Sequence, residues 1–223
     1  MRIVNSWRSA LRGRDYRAQL IASIIVLAVI LPLMGSFLNY VGARMGTVLH
    51  DPLLGLFPPV DFKWITFSLI YSGIVFGFVS LLLYPYSLLL ALRALIALVV
   101  LRVVCLYLVP LDPPPDVIPL VDPFIRLPGI RHVIVRDLFF SWQTAMLALF
   151  AFTARWKDMK IIFACVAFAV SILLLLQHSH YTIDIIAAPC FAYVACSLAK
   201  WVTVQEVFAL QGGDKNERVA NRR

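Results

Sequence analysis

The sequence predicts an all-α integral membrane protein with six transmembrane helices, and three observations support this. The 223-residue chain is 61% hydrophobic and only 14% charged, with a mean hydropathy of +0.87, which is more apolar than a soluble domain of this size. Its apolar residues fall into six runs, several of them close to the ~20 residues that a helix needs to cross hydrocarbon. Because backbone polar groups in lipid must be satisfied internally, each run is expected to be a helix.

The six runs form one central membrane domain, with a polar segment on each side. They lie at about 18–41, 63–83, 87–109, 138–154, 160–177 and 184–204, and the fourth and fifth are the shortest. The first run is longer than the apolar part of a signal peptide and lacks a clear cleavage site, so we expect an uncleaved span. The sequence therefore predicts a basic N-terminal segment at 1–17, a six-helix domain at 18–208 and a polar tail at 209–223.

The net charge of +8 is interpreted as a signal for membrane orientation and not for nucleic-acid binding, because it lies in short loops and tails. With six spans, both termini share one side. That side carries most of the Lys and Arg residues, so both termini are expected in the cytoplasm. A chain of this length without an added soluble domain is compatible with a bacterial inner membrane. The cationic residues assigned to the cytoplasmic side are Arg2, Arg8, Arg12, Arg14, Arg17, Arg155, Lys157, Lys160, Lys200, Lys215, Arg218, Arg222 and Arg223.

The opposite face carries the chain's polar chemistry, including all four histidines and most of the acids. Two long proline-containing loops, at about 42–62 and 110–137, also lie there and are either rigid covers or plain connectors. The four cysteines fall inside apolar runs without the spacing of metal ligands, so neither a disulfide framework nor a zinc site is expected. The sequence gives no indication of oligomeric state.

The segment His178-Ser179-His180-Tyr181-Thr182-Ile183-Asp184, at the start of the sixth run, is the strongest candidate for a functional site. Ionisable groups are costly at the boundary of an apolar helix, which favours a functional interpretation over a structural His–Asp pair. If the helix includes His180, then His180 and Asp184 share a face. If Thr182 caps the helix, the two side chains must meet through a bend.

Two further segments could join this site. Arg102, near the outer end of the third run, either extends toward lipid headgroups or offers a guanidinium fork to phosphate. Asp137 and Ser141, at the start of the fourth run, either cap that helix or mark a helix N-terminus that attracts an anion.

These segments together resemble a known family. His180-Tyr181-Thr182-Ile183-Asp184-Ile185, followed by small residues, resembles the last motif of the sphingomyelin synthase family, a branch of the type 2 phosphatidic acid phosphatase (lipid phosphate phosphatase) superfamily. Residues 137–144 stand where that family has Asp-x-x-x-Ser-Gly-His-Thr, and Arg102 with Tyr107 is similar to the segment between its third span and the active site. The resemblance covers roughly residues 90–204.

The resemblance implies a six-helix, lipid phosphate phosphatase-like bundle and a phosphohistidine mechanism. His180 would be the nucleophile and Asp184 would orient it, while Arg102, Ser141, Gln143 and Tyr181 would bind the substrate phosphate. The implied substrates are a phospholipid and a lipid alcohol, such as ceramide or diacylglycerol, or water. The mechanism needs no metal or cofactor.

The chain departs from the family at Trp142-Gln143, which stand where the family has Gly-His. The amide of Gln143 cannot donate the proton that the leaving alkoxide needs. Catalysis would then require His178 or His132 as the acid, or a leaving group, such as that of a diphosphate, that needs no proton. The alternatives are a non-catalytic relative that binds lipid phosphate and a transporter or structural membrane protein.

Overall fold

The computed structural model describes residues 2–120 and 136–220, with side chains for residues 3–120 and 136–203. The described chain is helical, with a single 3-10 turn at Leu54–Leu56 and one isolated bridge between Thr47 and Leu111. Its helices are α1 (Arg2–Arg12), α2 (Arg14–Ala43), α3 (Lys63–Leu82), α4 (Pro85–Leu108), α5 (Trp142–Thr153), α6 (Lys157–Leu176) and α7 (Thr182–Ala220).

Five helices of the described chain are long and apolar enough to cross a membrane: α2, α3, α4, α6 and the Thr182–Thr203 part of α7. Large apolar side chains stay exposed along them, which is expected where lipid and not water surrounds a helix. Ile24, Leu33, Val75, Val100 and Phe168 are examples. The protein is therefore a multi-pass helical membrane protein.

The helix at the fourth predicted span is shorter than the expectation of six spanning helices requires. We expected a span at about 138–154, but α5 has only 12 residues, a rise of about 18 Å against roughly 30 Å of hydrocarbon. Nine of those residues are buried, among α3, α4, α6 and α7. A helix that is apolar on every side is equally suited to a bundle interior and to a span, and here the bundle interior accounts for the pattern.

Close packing of α3 against α5 depends on two glycines on one face of α3. A Cβ at Gly73 would come within 2.6 Å of Leu147 Cδ2, and one at Gly77 within 2.6 Å of Phe150 Cδ2. The two glycines are four residues apart and so lie one above the other on the helix. Small residues at this spacing let helix backbones approach closely in membranes.

The bundle has two unlike ends. At one end, short turns join α3 to α4 and α5 to α6, and α1 packs beside them through a hydrogen bond from the Trp7 indole to Leu82 O. At the other end lie residues 44–62, the described parts of 109–141, and 177–181. We call this second end the His180 end. The helix α7 continues to Ala220, into the segment that the sequence assigned to a polar tail.

Candidate active site

His180 and Asp184 meet through a bend and not along one helical face. The helix α7 begins at Thr182, so His180 lies outside it, and Asp184 is in the first turn. His180 Nδ1 lies 3.2 Å from Asp184 Oδ2. His180 is 6% exposed and Asp184 is fully buried. The predicted contact is therefore present and is made through a bend, but Thr182 is the first residue of the helix and not its cap.

Backbone groups from two segments hold Asp184 in place. Its Oδ2 also accepts a hydrogen bond from Tyr181 N at 3.1 Å, and its Oδ1 accepts one from Phe139 N at 3.1 Å. The first bond is one half of a capping box, in which the third helical residue reaches back to the N-cap amide. The Asp184 carbonyl in turn accepts from Ser141 N at 3.1 Å. The start of α5 is thus joined directly to the start of α7.

Arg102 is 2% exposed, so it does not extend to the headgroups. It lies about 9 Å inside the end of α4 and donates to Phe140 O at 2.5 Å and Asp137 O at 3.3 Å. Its Nη2 lies 2.6 Å from Asp137 Oδ1, at an angle outside hydrogen-bond geometry, so the attraction is one of charge. The guanidinium also lies over the rings of Phe140 and Trp142. Arg102 thereby fixes the segment that leads into α5.

Ser141 caps α5, as one of the two sequence interpretations proposed. Its hydroxyl accepts a hydrogen bond from Thr144 N and donates to Gln143 Oε1, both at 3.3 Å. Asp137, in contrast, pairs with Arg102 and does not cap the helix. The half-buried Gln143 lies in the first turn of α5. Phosphate binding by Ser141 and Gln143 stays a prediction.

His178 lies in the link between α6 and α7, in a left-handed conformation (φ 52°). It is 6% exposed, and its ring meets that of Phe57 edge-on, with centroids 5.4 Å apart. Its Nε2 is buried without a hydrogen-bond partner among the described residues. Among these described residues, no hydrogen bond joins His178 to His180. The alternative proton donor, His132, lies outside the described residues.

Tyr181 is fastened to the two proline-containing loops. Its hydroxyl donates to Asp112 O at 2.9 Å and accepts from Leu49 N at 3.1 Å. Its role in phosphate binding is still a prediction, because in this structure the hydroxyl is occupied by the loops. We call residues 44–62 and 109–118 the two cover segments. They are joined to each other by hydrogen bonds from Thr47 N to Pro110 O and from Asp112 N to Thr47 O.

A second contact between a cover segment and the start of α7 was not predicted from the sequence. Asp51 accepts hydrogen bonds from the backbone and the hydroxyl of Thr182 at 2.6 and 3.0 Å. Partial burial raises the pKa of Asp51, but hydrogen bonds from Thr182 and from the amides of Leu53 and Leu54 outweigh it and leave the pKa below its usual value. The residues that hold the site thus include Asp51, which lies 131 positions from its partner.

Backbone strain collects at the same end of the bundle. Phe139 has φ 117°, a region that an aromatic residue rarely adopts. It is the residue whose amide donates to Asp184. His178 is a second strained residue. Such conformations cost about 1–3 kcal/mol each and are found where surrounding structure holds a functional site.

Comparisons with models of known protein families, with curated proteins and with solved structures found no match to this chain. Within residues 2–120 and 136–220, no group of three or more His, Cys, Asp or Glu residues could hold a metal ion. The four cysteines are free thiols. The geometry of the His180 end and the resemblance of its motifs are therefore the basis for assigning a function.

Proposed function

We propose that this protein is a membrane-embedded phospholipid head-group phosphotransferase or lipid phosphatase, similar to the sphingomyelin synthases, that acts through a phosphohistidine at His180. The observation that carries the proposal is the buried pair of His180 Nδ1 and Asp184 Oδ2, 3.2 Å apart. A His–Asp pair at the rim of an apolar bundle is costly. Orienting a nucleophile accounts for that cost.

The contacts of Asp184 leave one nitrogen of His180 available for chemistry. In the neutral tautomer with hydrogen on Nδ1, the ring donates to Asp184 Oδ2 and keeps its lone pair on Nε2. That lone pair attacks the phosphorus of the lipid head group, an N–P bond forms, and the bond from phosphorus to the lipid oxygen breaks. An acceptor hydroxyl, of a lipid alcohol or of water, then attacks the phosphohistidine and releases His180.

Positive electrostatic features surround this position. Helices α5 and α7 both begin here and are joined by the bond from Ser141 N to Asp184 O. Helix N-termini favour anions through their dipoles, and at α7 the carboxylates of Asp51 and Asp184 already take this place. The Arg102 guanidinium, which donates to Phe140 O, lies one segment away, and its charge is paired with the Asp137 carboxylate. A phosphate that displaced the Asp137 carboxylate would find a guanidinium fork already held in place.

The departing lipid alkoxide needs a proton, and His178 is the donor we assign. It is two residues from His180 in the chain, and its Nε2 has no partner among the described residues. An imidazolium at this position could protonate the leaving oxygen and later take the proton of the acceptor hydroxyl. His178 then performs the task that Gln143 cannot.

In this proposal α5 completes a six-helix bundle of the lipid phosphate phosphatase type. It begins at the His180 end, and beyond its last turn Trp156 Nε1 donates to the Tyr84 hydroxyl at the opposite end. The chain therefore passes from one end of the bundle to the other through α5, although the helix is short. With the basic N-terminus in the cytoplasm, the His180 end is extracytoplasmic, and a phospholipid of that leaflet is the substrate.

Lipid turnover in proteoliposomes tests the proposal. Wild-type protein and His180→Ala are incubated with phospholipids and lipid diphosphates, with and without ceramide or diacylglycerol, and head-group transfer and phosphate release are measured. The control is His50→Ala, because His50 is exposed on a cover segment at the same end. We expect turnover in wild type and His50→Ala and none in His180→Ala. Turnover that survives in His180→Ala would refute the phosphohistidine.

One observation favours a second candidate, a catalytically impaired relative that binds lipid phosphate. Arg102 is enclosed by Asp137, Phe140 and Trp142, and Trp142 stands where the resembling family has glycine. This enclosure obstructs the approach of a phosphate. Thermal stabilisation by phosphatidic acid but not by diacylglycerol, without product from any lipid, would support the second candidate and contradict the first.

A further inference from the structure

Helix α1 has one apolar side and one basic side. With 3.6 residues per turn, its apolar residues fall on one half of the helix, and its arginines, Ser6, Ser9 and Asn5 fall on the other half. The apolar residues are Ile3, Val4, Trp7, Ala10 and Leu11. This pattern is typical of helices that lie in the interface of a membrane.

Only part of the apolar side packs against the protein. The Trp7 indole donates to Leu82 O at 2.7 Å, and Ala10 is buried beside Tyr16 and Leu89. The Tyr16 hydroxyl donates to Pro85 O at 2.9 Å. These contacts hold α1 against the turn between α3 and α4, at the end of the bundle away from His180.

The rest of the apolar side has no cover within the described chain. Ile3, Val4 and Leu11 are 45, 59 and 42% exposed. Val4 and Leu11 are seven residues apart and so form one stripe along the helix. Arg8 and Arg12, both exposed, follow next around the helix. An uncovered apolar stripe bordered by arginines matches the boundary between acyl chains and headgroups.

The same end of the bundle is strongly basic. Exposed cations come from α1, from the start of α2, from the turn before α6 and from the first turn of α6, and the exposed acids among them are Asp15 and Asp158. Arg155 lies over the ring of Tyr84, and Tyr84 lies in the turn between α3 and α4, next to the contact of Trp7 with Leu82. The cations near α6 and those of α1 are therefore on one face. The cations are Arg8, Arg12, Arg14, Arg17, Arg155, Lys157 and Lys160.

We propose that α1 lies flat in the leaflet opposite the His180 end and that this basic face binds the headgroups of anionic phospholipids. The Val4–Leu11 stripe faces the acyl chains, and Arg8 and Arg12 face the phosphates. We assign this face to a lipid surface because its arginines can bind the headgroup of an anionic lipid while the adjacent apolar stripe contacts the acyl chains. The proposal depends on the membrane spans and not on the chemistry at His180.

The association of spin-labelled lipids with the full-length protein in phosphatidylcholine bilayers tests this inference. The ratio of the association constants for phosphatidylglycerol and phosphatidylcholine is measured for wild type, for Arg8→Gln/Arg12→Gln and for Arg44→Gln/Lys63→Gln. The last double variant removes the same charge at the His180 end. Because an arginine near an anionic surface contributes ~1 kcal/mol, or about fivefold, the first variant should lose much of the preference for phosphatidylglycerol.

The outcomes separate the inference from its alternatives. We expect a preference in wild type that 1 M salt weakens, that Arg8→Gln/Arg12→Gln reduces and that Arg44→Gln/Lys63→Gln retains. No preference in wild type, or an equal loss in both variants, would overturn the basic face. A third variant, Val4→Ser/Leu11→Ser, keeps every charge and should also weaken the preference. An unchanged ratio there would overturn the interfacial position of α1.

Discussion

The carboxylate of Asp51 caps the helix that begins at Thr182, from 131 residues away. Its Oδ2 accepts from Thr182 N at 2.6 Å, and its Oδ1 accepts from the Thr182 hydroxyl and from Leu53 N, each at 3.0 Å. The residue before Thr182 is Tyr181, whose side chain is directed to the cover segments and cannot cap α7. A loop therefore supplies the cap at the point where the chain leaves His180.

Replacing Asp51 with asparagine should destabilise the start of α7. Asparagine keeps the size of the side chain but offers one acceptor oxygen in place of two, so at least one donor loses its partner. Loss of a cap costs about 1 kcal/mol, which corresponds to roughly 2–4 °C in a domain of this size. The unfolding temperature in detergent is the measurement.

The matched control is Asp116→Asn, since Asp116 is an exposed acid of the second cover segment. Its φ of 61° is one that asparagine also adopts. The control should unfold at the wild-type temperature. Equal shifts in both variants would show that net charge, and not the cap, sets the difference.

The lowered pKa of Asp51 gives this cap a defined pH dependence. A carboxyl whose folded pKa lies below its unfolded value stabilises the protein above the unfolded pKa, near 4. That contribution is lost as the pH falls through the folded pKa. The difference in unfolding temperature between wild type and Asp51→Asn should therefore be constant from pH 5 to 7 and shrink below about pH 4. A difference that widens in acid would contradict the assignment.

Gly46 lets the two cover segments join. A Cβ there would overlap the backbone of Leu111 and lie 2.6 Å from Asp112 N, and backbone atoms cannot move aside as a flexible side chain can. Gly46→Ala should therefore separate the segments and break the hydrogen bonds of the Thr47–Leu111 bridge. We expect faster amide hydrogen exchange in residues 44–62 and 109–118. Gly55→Ala is the control, because nothing lies within 4 Å of a Cβ at Gly55.

The sequence predicted the helices better than it predicted how the site is held. Local hydropathy is enough to find α2, α3, α4, α6 and α7. The short spacing of His180 and Asp184 in the sequence was enough to predict their contact. The fourth run, predicted at about 138–154, was longer than α5, because burial within the bundle and burial in lipid select the same residues. The contacts of Asp51 with Thr182 and of Arg102 with Asp137 join distant segments, and no periodic pattern records such contacts.

The Asp137 carboxylate should compete with phosphate for Arg102. It is 30% exposed and lies 2.6 Å from the guanidinium, so a partly exposed ion pair contributes up to about 1 kcal/mol. Asp137→Asn should therefore raise the affinity for phosphatidic acid by about fivefold. Calorimetric titration in detergent measures this. Arg102→Gln/Asp137→Asn should lose the gain, and a gain that persists there would place the phosphate elsewhere.

The identity of the proton donor can be tested by moving the imidazole. His178→Asn should abolish turnover, because the amide cannot donate a proton to the alkoxide and loss of a general acid costs typically ~10²–10⁴-fold. Gln143 lies in the first turn of α5, where Ser141 Oγ donates to its Oε1. Gln143→His on the His178→Asn background should restore part of the rate, whereas Gln143→Asn should not. Undiminished turnover in His178→Asn alone would exclude His178 as the acid. A gain from Gln143→His in an otherwise inactive wild type would instead show that the chain is the impaired relative, because an amide stands where catalysis needs an imidazole.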